Sequence, residues 1–147
     1  MKLSDKYTLT SGSAYLTGIQ ALVRLPMDQM RRDRQAGLNT GCFISGYEGS
    51  PLGGYDLALG RERKLLAELG IHHWPAVNED LGATAIFGSQ IAPVMGPVNV
   101  DGVVGIWYGK GPGVDRSGDI FRHANLAGSP GLSATLVLAG DDPTSKS

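Results

Sequence analysis

An open α/β fold built on a parallel sheet is predicted by three features of the sequence. Short apolar runs at 41–45, 71–77, 102–107 and 133–139 alternate with longer amphipathic or small-residue stretches. Each run leads into a polar or glycine-rich loop: Ser45-Gly46, Asn78-Glu79, Tyr108-Gly109-Lys110 and Asp141-Asp142. The 22 glycines among 147 residues demand tight turns and backbone-lined loops rather than disorder, because aliphatic runs lie between them. Strand-helix alternation of this kind implies right-handed βαβ units and a sheet covered on both faces.

Residues 1–12 are polar and read as irregular. Over 13–37, Leu16, Ile19, Val23, Met27 and Met30 recur at steps of three and four, which predicts a helix. Pro26 should kink it or divide it in two, and Gly37 suits its C-terminal cap. Arg31, Arg32, Asp33 and Arg34 read as a solvated helix face. After the first strand and a loop over 46–54, residues 55–69 read as one amphipathic helix with Leu57, Leu59, Leu65, Leu66 and Leu69 on its apolar side and Gly70 closing it. The second strand, 71–77, precedes a small-residue helix opening at Asn78. A third crossover helix covers 117–127, between the third and fourth strands. Nothing caps the sheet after 139, so the expectation is a partial domain over 1–147 that belongs to a larger protein.

Composition excludes several functions. The length suits one domain. A net charge of −1 gives no electrostatic case for nucleic acid or anionic lipid. The single Cys42 rules out an intramolecular disulfide and any cysteine-built metal or iron–sulfur site within this chain, and its apolar flanks predict burial. No apolar run approaches the roughly 20 residues that span a bilayer. The N-terminus lacks the apolar core of a signal peptide, so a cytoplasmic location is expected. His72 and His73, adjacent on a strand, point to opposite faces, and His123 is remote, so no metal site is expected. Trp74, Trp107 and Phe121 read as core or interface aromatics.

Ligands of open parallel sheets gather at the carboxyl ends of the strands. Following the four runs there gives polar or glycine-rich turns, whereas the opposite ends are plain. Glu79 stands at the mouth of a helix on this edge. The same residues have a purely structural use: Asn78 is a good N-cap, and Glu79 and Asp80 complement the helix dipole. The Lys110 loop is not a Walker motif, since three residues separate Gly105 from Gly109 and Gly111 follows the lysine. Lys110 and Arg116 are candidate anion contacts, unless Arg116 pairs locally with Asp115. Ser50, before Pro51 on a constrained turn, is a candidate hydroxyl donor.

Four stretches carry a resemblance: Gly46-Tyr47-Glu48-Gly49-Ser50-Pro51-Leu52-Gly53-Gly54, Val77-Asn78-Glu79-Asp80-Leu81-Gly82-Ala83-Thr84, the Lys110-Gly111-Pro112-Gly113-Val114-Asp115-Arg116-Ser117-Gly118-Asp119 string, and Leu138-Ala139-Gly140-Asp141-Asp142-Pro143. In this order they resemble the N-terminal region of the indolepyruvate branch of the 2-oxoacid:ferredoxin oxidoreductase family, over residues from about 7 to 147. The chain departs from other relatives at Glu48, where they carry proline. The resemblance implies a pyrimidine-binding domain for thiamine diphosphate, with Glu79 hydrogen-bonded to the aminopyrimidine ring as the catalytic carboxylate. It places Gly46, Tyr108, Gly109 and Lys110 on the coenzyme side and Ser50, Lys110 and Arg116 on the substrate side. The implied reaction is oxidative decarboxylation of a 2-oxo acid, indolepyruvate or another arylpyruvate, to an acyl-CoA, with electrons leaving to ferredoxin. Magnesium, iron–sulfur clusters and the CoA region would belong to C-terminal domains of the same enzyme. A homodimer is expected, and residues 1–147 alone are expected to be inactive. Two other readings stand beside this one: a stand-alone anion- or nucleotide-binding α/β module using 109–118, and a non-catalytic assembly domain.

Overall fold

Four parallel strands form one sheet in the order β2-β1-β3-β4, flanked by helices, so the protein has the open α/β fold expected. The computed structural model describes residues 5–48, 52 and 54–140. β1 (Thr40–Gly46) and β3 (Gly102–Lys110) are the central pair, in register from Thr40 opposite Gly102 to Gly46 opposite Tyr108. β2 (Ile71–His73) and β4 (Ala134–Gly140) form the two edges.

Alternation along the strands sorts the side chains between two cores. Cys42 and Ile44 of β1, with Ile106 and Tyr108 of β3, face the helices α1 (Asp5–Thr8), α2 (Gly18–Gln35), α3 (Tyr55–Arg61) and α4 (Arg63–Glu68), packing on Val23, Met27, Met30, Tyr55, Leu59 and Leu66. Phe43 and Trp107 face the other way, against Ala83 and Ile86 of α5 (Glu79–Met95), Val114 of α6 (Gly111–Arg116), and Ile120 and Phe121 of α7 (Gly118–Ala127). Cys42 is buried as expected, and burial pushes its thiol up to about 12.

Several boundaries differ from the sequence-based expectation. Residues 1–12 are not all irregular: Asp5–Thr8 is a helical turn whose Tyr7 is buried, held by Arg31 donating to the Tyr7 carbonyl and Arg24 to that of Lys6. Pro26 neither ends nor divides the helix. α2 runs unbroken through it, opened by a capping box in which Thr17 and Gln20 exchange backbone-to-side-chain bonds. Proline removes the hydrogen bond that the Leu22 carbonyl would accept, and the Tyr55 hydroxyl approaches that oxygen at 3.5 Å. The single helix expected over 55–69 breaks at Glu62 (φ −101°, ψ 13°), and Leu57 turns outward instead of joining the core.

The second strand pairs only over Ile71–His73, with a further isolated bridge between Tyr47 and Ala76. The third extends to Lys110, and the helix expected over 117–127 is preceded by the separate α6. Cover on both faces holds for β1 and β3 but not for β4, most of which is exposed. Trp74 is exposed, so only Trp107 and Phe121 of the three aromatics lie in the core. The Asp141-Asp142-Pro143 turn lies outside the described residues.

Candidate functional site

Because all four strands run the same way, their carboxyl ends share one rim, and α5 begins there. Asn78 is extended (φ −158°, ψ 172°), and its Oδ1 accepts the Leu81 N–H at 2.9 Å, which starts the helix at Glu79. The structural use of Asn78 is therefore present, and it places Glu79 at the rim.

Four further contacts fix that first turn. The Trp107 indole N–H donates to the Glu79 carbonyl at 3.1 Å from a fully buried ring that stands edge-on to Phe121. Gly82 brings the helix down onto the end of β1, where a Cβ would lie 3.3 Å from the Gly46 Cα. Gly113 receives the Glu79 side chain: a Cβ there would stand 2.8 Å from the Glu79 Cγ and 3.4 Å from Oε1. Asp80 accepts from the Arg116 Nε at 2.9 Å and from the Ser117 hydroxyl at 3.4 Å, which clasps α5 to the turn after β3. That hydrogen bond and the Asp80 charge hold the Arg116 guanidinium above its usual range, with Glu79 adding to the effect.

Glu79 and Lys110 therefore stand on one rim, Glu79 against the glycine turn that follows Lys110. Glu79 is half-buried, and among the described residues it makes no ion pair. Lys110 is half-buried and extended (φ −97°, ψ 173°) just before α6. Arg116 pairs with Asp80, not with Asp115. Gly109 lies against the Trp107 ring, at a spot where a Cβ would be 2.4 Å from Cη2.

Gly46 and Tyr108 interlock on the opposite face of the sheet, with the Tyr108 ring over Gly46, so their backbones reach the rim while the phenol points away from Glu79. Ser50 lies outside the described residues. Among the described residues no group of three His, Cys, Asp or Glu could hold a metal ion.

A cleft of about 830 Å³ opens elsewhere, at the free edge of β2, lined by Glu48, Asp56, His73 and Trp74 among others but not by Glu79. Sequence reasoning did not find Gly82, Gly113 or Asp80 as parts of the site. Their only signal was a place in the same two motifs as Glu79 and Lys110. No family model, curated protein or solved structure matches the chain.

The rim can offer a directed, half-buried carboxylate at a helix start, beside backbone with no side chain in the way. Such a group accepts a hydrogen bond from a ring N–H or a protonated ring nitrogen. Gly113 is the cradle in which it rests, and the anchored first turn sets its position.

Proposed function

We propose that this chain is the pyrimidine-binding part of a thiamine-diphosphate-dependent 2-oxo acid:ferredoxin oxidoreductase acting on indolepyruvate or a related arylpyruvate. The observation that carries the reading is Glu79: a carboxylate on the first residue of α5, at the carboxyl rim, packed against Gly113 of the lysine-glycine turn. The donor set fits the aminopyrimidine end of the coenzyme. Glu79 would bind the ring nitrogen and hold the tautomer whose exocyclic nitrogen can take a proton. Lys110 would face the acidic substrate from the same rim. When bound, thiamine diphosphate supplies the carbanion chemistry, while this chain's residues orient the ring. Trp107 and the Asp80–Arg116 clasp keep α5, and with it Glu79, from shifting.

The test uses thiamine as the probe, with amide NMR on residues 1–147. Shifts are expected at Glu79, Gly109, Lys110 and Gly113, and Glu79→Gln should weaken binding at least about tenfold, or about 1.4 kcal/mol. Equal binding by a folded Glu79→Gln variant would sink the proposal. The same chain, given coenzyme, substrate and an electron acceptor, should show no turnover.

A further inference from the structure

α5 carries apolar residues on every side, although only one side faces the sheet. Residues 81–100 contain no Asp, Glu, Lys, Arg or His, and this stretch runs from the third residue of the helix to beyond its end. Helices of that composition are normally enclosed. Here Gly82, Ala83, Ile86 and Gln90 are buried, whereas on the opposite face Leu81 is 50% and Met95 79% exposed. The helical period groups Leu81, Thr84, Ala85, Ala92 and Met95 around Gly88 on that outer face. The Thr84 hydroxyl donates to the Asp80 carbonyl at 2.7 Å within the helix, so it needs no partner from outside.

Gly88 is a second and independent sign. A glycine in the middle of a helix weakens it. Gly82 has a reason to be glycine, since a Cβ there would lie 3.3 Å from the Gly46 Cα. Gly88 has none within this chain, for a Cβ at that position would meet no atom within 4 Å. The outer face also reads alike from both ends. Leu81 and Met95 stand about two turns before and after Gly88, and the small Thr84 and Ala92 about one turn before and after it.

We propose that the outer face of α5 is a self-association surface, on which a second copy of this chain packs its own α5 antiparallel, with the two Gly88 residues at the two-fold axis. The symmetry of the face selects a second copy, because a two-fold contact sets each surface against itself. In the antiparallel order Leu81 meets Met95 of the partner subunit, and Thr84 meets Ala92 of the partner subunit. The glycines let the two backbones come closer than the roughly 8–10 Å usual for packed helices. Leu81 and Met95 leave water at the two ends of the contact, and no like charges oppose each other along it. The contact needs no coenzyme, so it stands or falls separately from the proposed function.

The experiment is sedimentation velocity on residues 1–147 over a dilution series, in which a reversible monomer–dimer equilibrium is expected. Gly88→Ala separates folding from association, because the two respond with opposite signs. In dilute solution the better helix former should raise the melting temperature of the monomer by about 2–4 °C. The same methyl, facing its own copy across the axis, should weaken the dimer at least about tenfold. Leu81→Glu and Met95→Lys change exposed positions and suit the helix dipole, so the monomer should tolerate both. Each alone should weaken the dimer about tenfold by placing an unpaired charge in the contact. Both together in one chain should restore most of the affinity, since each introduced acid then faces an introduced base. A chain that stays monomeric throughout, a dimer untouched by Gly88→Ala, or a double variant weaker than either single one would each overturn the proposal.

Discussion

The two flanks of this sheet are built to different standards. At the α5 start, a cap, an indole hydrogen bond, two glycine approaches and a carboxylate clasp converge on one turn of helix. On the β4 flank, Ala134–Gly140 is exposed along most of its length, Leu136 and Val137 are each 39% accessible, and α7 contributes no fully buried side chain. Both regions are glycine- and alanine-rich, so composition does not separate them. What differs is the number of independent constraints. Convergent constraint is what a site needs to hold one group in one place. Along β4 only Leu138 packs against the core, so such convergence is missing there.

Substitutions should register this contrast. Gly46→Ala has the largest expected effect, because the new methyl would stand 2.3 Å from the Tyr108 carbonyl oxygen, backbone that cannot step aside. A loss of about 3 kcal/mol or more is expected, seen as a fall in melting temperature of about 10 °C. Trp107→Phe removes the indole donor from the Glu79 carbonyl and should cost about 1–2 kcal/mol. Faster hydrogen exchange should be confined to the first turn of α5, and a uniform rise across the sheet would erase the proposed difference between the flanks.

Gln90 lies between the two regions, buried, with an Oε1 that has no hydrogen-bond partner among the described residues. Gln90→Met should stabilise the fold by about 1 kcal/mol in urea denaturation, because an unsatisfied polar atom is removed at nearly constant volume. Leu136→Lys on β4 should change stability by less than about 0.5 kcal/mol, since that side chain is already accessible. A cost similar to that of Trp107→Phe would show that the β4 flank is as constrained as the rim.

Much of this architecture was legible in the sequence. Apolar runs located all four strands, and Asn78 marked the start of α5, because such signals depend on a residue and its near neighbours. The errors arose where distant contacts decide. Leu59 and Leu66 stay in helical phase across Glu62, and Gly60 was the one local hint of the break between α3 and α4. The unbroken course of α2 through Pro26 goes with Tyr55 approaching the freed Leu22 carbonyl from 33 residues away, which no reading of α2 alone contains. The apolar run at 71–77 suggested a long strand, but only Ile71–His73 finds partners along β1, with one isolated bridge at Ala76. Local signals placed Glu79 where a strand gives way to a helix, but first-turn acids are commonplace, and its proposed role came from the resemblance. Gly82 and Gly113 gave no such signal, because a glycine acting as a spacer is recognised only by what would collide with a methyl group.

The two tryptophans lie at opposite extremes of exposure, Trp107 at 0% and Trp74 at 71%. Nature has thus supplied a paired optical gauge: one indole emits from the dry interior behind Glu79, the other from water at the mouth of the β2 cleft. A soluble quencher will reach the second and spare the first, so events at either place can be followed by light without attaching a dye.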